Sequence, residues 1–161
     1  MAFHQRSVPL TLVVLFATLC HIASPYRILY NKLYVIRNSW PNDLVLDATN
    51  QSQITIQPFS GLKTQLWKFE AGTEPGLFYI VNEYQGKVLD YNRPNSRALR
   101  VADRDNSKDQ QWIISFTGKI TNARTKKNVD IWRRDYSPGT KVGLWSGTGY
   151  RIQKFALDES S

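Results

Sequence analysis

Apolar residues along this chain come in short runs. Leu33-Tyr34-Val35-Ile36, Leu77-Phe78-Tyr79-Ile80-Val81 and Trp112-Ile113-Ile114 are rich in β-branched and aromatic residues. Polar clusters such as Asn38-Ser39-Trp40-Pro41-Asn42-Asp43, Asn92-Arg93-Pro94-Asn95-Ser96 and Ser137-Pro138-Gly139 separate them. Runs of this length and composition, punctuated by Pro, Gly, Asn and Asp, are strand and turn signals. Beyond the first two dozen residues, no window sustains helical i, i+3, i+4, i+7 spacing for three turns. The pattern predicts an all-β chain with about four short strands in every forty residues.

The pattern also repeats. An Asn, then a Leu- or Val-Asp pair, then Gln-x-aromatic occurs three times. The copies are Asn38, Leu46-Asp47 and Gln65-Leu66-Trp67; Asn82, Leu89-Asp90 and Gln110-Gln111-Trp112; and Asn122, Val129-Asp130 and Gln153-Lys154-Phe155. The aspartates recur after 43 and 40 residues, and the aromatics after 45 and 43. A period near forty in three copies predicts a closed array of similar units, here about residues 32–70, 77–116 and 117–157. Roughly twelve strands must hide their edges, and closure into a barrel with a hairpin cap does so. Trp67, Trp112 and Phe155 are expected to converge near a pseudo-threefold axis as core. The amides of Gln65, Gln110 and Gln153 are expected to bond turn backbone, because buried amides need partners.

Residues 1–24 stand apart. Positive charge in Met1–Arg6, an apolar run over Leu10–Leu19 and small residues at Ala23 and Ser24 follow the order of a secretory signal peptide. Cleavage is expected after Cys20 or Ser24, leaving one domain over 25–161. The apolar run is too short for a stable bilayer span, and no later segment is long and apolar enough. Cleavage removes the single cysteine and leaves at most one histidine. A mature chain of that kind can form no Ser-His or Cys-His nucleophile pair and no His/Cys zinc site. The chain carries 21 Lys+Arg against 13 Asp+Glu, a formal net charge of +8, and only Arg6 of these basic residues lies in the leader. The excess favours acidic partners or plain solubility, and secretion argues against nucleic acid.

Three Gln-x-Trp-type motifs in register, each preceded by Leu/Val-Asp, resemble the ricin B-type lectins, over about residues 32–157. The resemblance implies a β-trefoil of three pseudo-symmetric repeats and carbohydrate binding without metal or other cofactor. It also implies which residues bind. The aspartate accepts from vicinal hydroxyls, an aromatic ring later in the repeat lies under the apolar sugar face, and an amide completes the set. Repeat three fits best, with Asp130, Trp145 and Gln153, although Ile152 stands where the family has Asn. Trp132 and Tyr150 would add contact area. Repeat two offers Asp90, Asp109 and Gln110, but Ala102 takes the ring position and only Tyr91 is near. Repeat one has Asp47 and Gln65, but Gln57 replaces the ring and Thr64 the Asn, so it reads as inactive. The alternative for each aspartate is a structural turn.

Other features adjust this picture. Lys119, Arg124, Lys126, Lys127, Arg133, Arg134 and Lys141 form a basic cluster around repeat three, adding sulfated or sialylated glycans to the expected ligands. Asn50-Gln51-Ser52 is an N-glycosylation sequon. Asp103-x-Asp105-x-Ser107-x-Asp109 alternates oxygen ligands but lacks the glycine and distal glutamate of a calcium loop, so no metal is expected. No pair of acids can be assigned to glycoside hydrolysis, and the chain is read as a binding protein, not an enzyme. A single shallow site binds weakly, so avidity from homo-oligomerisation or clustered glycans is part of the expectation. The competing readings are a protease inhibitor or protein ligand using exposed loops, and a heparin-binding signalling trefoil.

Overall fold

Alternation decides the strands. Along Leu66–Ala71 the side chains of Trp67 and Phe69 are buried while Lys68 and Glu70 are not, the period-two pattern of a strand with one face on a core. The computed structural model describes residues 28–30, 32–40, 43–91, 97–147 and 151–160. The expected leader with its cleavage points, and Tyr150, lie outside them. The first unit holds β1 (Leu33–Asn38), β2 (Val45–Asp47), β3 (Thr55–Gln57) and β4 (Leu66–Ala71). The second holds β5 (Phe78–Asn82), β6 (Val88–Asp90), β7 (Arg100–Ala102) and β8 (Trp112–Ile114). The third holds β9 (Ile120–Asn122), β10 (Asn128–Ile131), β11 (Val142–Trp145) and β12 (Phe155–Glu159). Among the described residues the only helical pieces are four single 3-10 turns.

Six strands form the barrel. Antiparallel pairs run β12–β1, β1–β4, β4–β5, β5–β8 and β8–β9. At the remaining seam the Phe155 amide donates to Gly118 O at 2.8 Å. Gly118 has φ +82, and a Cβ there would lie 2.6 Å from Phe155 O, so the seam needs a glycine.

The other six strands form three hairpins, β2–β3, β6–β7 and β10–β11, that cap one end. A cyclic set of backbone bonds joins them. Ile54 N donates to Leu99 O (2.8 Å), Leu99 N to Val142 O (2.8 Å), and Val142 N to Ile54 O (2.9 Å). These three residues hold equivalent places in their repeats, so the triangle marks the pseudo-threefold axis. The architecture is a β-trefoil.

Trp67, Trp112 and Phe155 are fully buried in the common core. The indoles of Trp67 and Trp112 donate to Leu46 O and Leu89 O at 3.2 and 3.1 Å, which satisfies the one polar atom each brings inside. Phe155 has no such atom to satisfy. The repeated asparagines join the units. Asn82 donates to Thr64 O and Leu66 O of unit one, Asn122 to Lys108 O and Asp109 O of unit two, and Asn38 to Ile152 O of unit three. Each unit is thus tied to the one before it, and the first to the last.

Candidate functional site

The three repeated aspartates sit at the same hairpin position but in three different environments. Register sets the difference. Opposite Asp47 stands Thr55, opposite Asp90 stands Arg100, and opposite Asp130 stands Gly143. Asp47 is 3% exposed and accepts from Thr49 N (2.6 Å) and Gln65 Nε2 (2.9 Å), which makes it the anchor of its own turn. Asp90 is fully buried, with its carboxylate held by Arg100 Nε at 2.6 Å. Asp130 is only half-buried, because Gly143 puts no side chain across from it. That glycine has a packing reason too, since a Cβ there would lie 2.4 Å from Arg97 O.

Asp130 opens onto a cavity of about 460 Å³ lined also by Trp132, Arg133, Arg134, Trp145 and Arg97. A relay of hydrogen bonds holds it in place. Thr121 Oγ1 donates to Asn128 Oδ1 (2.7 Å), Asn128 Nδ2 to Gln153 Oε1 (3.2 Å), and Gln153 Nε2 to Asp130 Oδ2 (2.8 Å). Burial holds the Asp130 carboxyl above the usual aspartate range, while the Gln153 amide and the Arg134 guanidinium pull the other way. Trp145, at the end of β11, leaves 47% of its surface exposed. The Arg97 guanidinium lies 4.2 Å from its ring centroid, a cation–π contact that fixes the indole and covers one face. Arg133 and Arg134 follow β10 with φ of +54 and +59. Two successive non-glycine residues in the left-handed region are strained, and such strain collects at functional sites. Burial also raises the Tyr136 phenol, which feels both Asp130 and Arg134; its ring meets Trp40 edge-on at 6.0 Å.

Thus the structure brings Asp130, Trp132 and Trp145 to one cavity, while Gln153 and the repeat-two set do not line it. Gln153 is fully buried and its amide is consumed by Asp130, Asn128 and the more distant Ser146 O. It positions the carboxylate instead of facing a ligand. In repeat two, Asp90 is closed by Arg100, and Asp109 is 4% exposed and paired with Arg124. Gln110 is buried, with its amide on Asp103 O and the Asp105 amide. That geometry corrects the expectation of an open second set there. Gln65 likewise bonds Asp47, Pro58 O and the Ser60 amide.

The basic cluster also divides. Arg124, Lys126 and Lys127 lie in the turn before β10, and Arg133 and Arg134 lie after it, separated by a strand of about 13 Å. Lys119 is at the β8–β9 turn and Lys141 just before β11. Asn50 is exposed in a turn where its Oδ1 accepts from Ser52 N. In the acidic segment Asp103 pairs with Lys87 at 3.7 Å and Asp105 accepts from Ser107 N at 2.8 Å.

Arg97, Gly143 and Leu144 of the cavity lining escaped the sequence reading. Arg97 comes from the neighbouring repeat and reaches the site only because the hairpin triangle packs residues 97–99 against β11, as the Ala98–Gly143 bridge shows. Gly143 was legible in principle, since it stands two residues before Trp145 as Arg100 stands two before Ala102.

Known proteins resemble this chain in sequence or in fold. Residues 63–145 match the family model described as "Ricin-type beta-trefoil lectin domain-like". An exo-β-1,6-galactobiohydrolase of Bifidobacterium longum subsp. longum is 31% identical over 103 aligned positions, taking in 53% of this chain; the chain spans only 7% of that enzyme. Among solved structures, the C-half of the earthworm R-type lectin in complex with GalNAc has a TM-score of 0.66 at 22% identity, covering 80% of this chain and 99% of that one. The Macrolepiota procera ricin B-like lectin in complex with lactose has a TM-score of 0.69 at 20% identity, covering 84% of this chain and all of the other. The designed threefold-symmetric protein ThreeFoil has a TM-score of 0.70 at 22% identity, covering 80% and 99%.

Proposed function

We propose, from the premise that the chain belongs to the ricin-type beta-trefoil lectin domain-like family, that it is a secreted lectin with one sugar site, in the repeat-three cavity. The observation that carries this reading is the contrast among the aspartates. On one repeated scaffold, two carboxylates are spent on internal partners and the third faces a cavity beside an exposed indole. Asp130 accepts from vicinal hydroxyls of the sugar, and the face of Trp145 away from Arg97 stacks on its C–H surface. The relay from Thr121 through Asn128 and Gln153 aims the carboxylate before a ligand arrives, which lowers the ordering cost of binding.

A galactose- or GalNAc-type ring is the proposed occupant. The lactose and GalNAc complexes of the two lectins of like fold support it. Binding without hydrolysis is supported by the carboxylates. Among the described residues Asp130 is the single acid lining the cavity, and glycoside hydrolysis ordinarily needs a second one facing it.

Calorimetric titration of the purified protein with galactosides tests the proposal. Trp145→Ala is expected to weaken binding by about five- to thirtyfold, the loss of a stacking contact worth about 1–2 kcal/mol. Unchanged affinity in that variant removes the site from consideration.

A further inference from the structure

We propose that the ligand of this cavity is an acidic glycan: its ring hydrogen-bonds Asp130, and a carboxylate or sulfate group on that ring or its neighbour pairs with the guanidinium groups of Arg97 and Arg133. The inference rests on the reading of the cavity as a sugar site and names its substrate class.

Of the five described arginines outside the cavity, four are matched to acids, and the exposed Arg151 makes no ion pair among the described residues. Arg37 pairs with Asp158, Arg100 with Asp90, Arg104 with Glu70 and Arg124 with Asp109. Arg97 and Arg133 make no ion pair among the described residues, yet both line the cavity. Arg97 comes from one repeat and Arg133 from another, so the fold gathers these two charges at the mouth. Arg97 is fixed there by the Trp145 ring, and Arg133 is held on a left-handed backbone that a non-glycine residue adopts at a cost. Arg134 lies beside them and already interacts with its surroundings. The cavity is therefore bipolar, with one carboxylate facing guanidinium groups.

A neutral sugar uses the Asp130 side alone. A purely anionic ligand without hydroxyl donors meets repulsion from Asp130. A ring bearing both hydroxyls and an acidic group satisfies both sides. Guanidinium groups suit either a carboxylate or a sulfate because both offer paired oxygens.

The test compares three probes on the full chain: lactose, a sulfate ester of lactose, and sialyl-lactose. Affinities are measured at low and physiological salt, for wild type and for Arg97→Gln, Arg133→Gln and Asp130→Asn. At least one acidic probe is expected to bind about tenfold or more tighter than lactose, as a charge-assisted hydrogen bond allows. Each arginine variant should shrink that acidic-to-neutral ratio, and added salt should shrink it too. The probe that gains identifies sulfate or carboxylate as the source. Equal binding of all three probes, still lost in Asp130→Asn, overturns the acidic assignment and leaves the sugar site standing. Acidic binding indifferent to all three variants moves recognition to another basic surface and overturns it as well. No binding of any probe to wild type overturns both readings together.

Discussion

At the residue scale the site depends on one carboxylate kept only half out of water. Its raised pKa has two opposite consequences. The folded state holds the Asp130 proton more tightly than the unfolded chain does, so this group's contribution to stability falls as pH rises through that window. Hydroxyl recognition, by contrast, needs the ionised form. Sugar affinity should therefore decline on acidification starting at a higher pH than an ordinary aspartate would give, measurable as Kd against pH. Asp130→Asn should abolish sugar binding while leaving the thermal midpoint equal or higher at neutral pH, since the amide still accepts from Gln153. A large drop in Tm would show the carboxylate to be structural. Asp90 has a structural role instead. Arg100→Ala strands a fully buried carboxylate and should cost about 3 kcal/mol in a urea melt.

Elements explain which of these roles were readable in advance. The family resemblance put Asp130 and Trp145 in one site, and the β10–β11 hairpin agrees, setting Asp130 opposite Gly143, two residues before Trp145. The burial of Trp67 and Trp112 was legible from the same repeat. What spacing hid was cross-strand partnership. Arg100 sits opposite Asp90 and disarms it, and no composition argument distinguishes that arginine from a solvated one. Gln153 was hidden for a related reason: a buried amide and a ligand-facing amide look alike in sequence, and only the relay through Asn128 tells them apart. At this scale Gly143→Ala is a sharp test. The added methyl meets Arg97 O at 2.4 Å, so the variant should lose about 1–3 kcal/mol. It should also weaken binding, because residue 97 must move away from Trp145.

For the whole molecule, function follows from breaking a symmetry that the fold keeps. The triangle of Ile54, Leu99 and Val142 and the ring of Asn38, Asn82 and Asn122 treat the three units alike. Asn82→Ala removes bonds on both sides of one junction and should lower global stability by about 1–3 kcal/mol in chemical denaturation. A single cooperative transition is expected, since every unit is tied to the next. The repeated core and staples carry stability. The positions that differ between units, Thr55, Arg100 and Gly143 across from the aspartates, decide which carboxylate faces a cavity. The basic residues counted as one cluster in the sequence are spread over separate turns and the two ends of β10, and only Arg133 and Arg134 of them line the cavity.

The most direct test of the central claim is amide and indole chemical-shift mapping by NMR as lactose or its sulfate ester is added. The account predicts shifts concentrated at the Trp145 indole N–H and the amides of Asp130, Trp132 and Gly143, with the hairpins of Asp47 and Asp90 undisturbed. Saturable shifts at either of those hairpins, or a spectrum unmoved by both sugars, would contradict it.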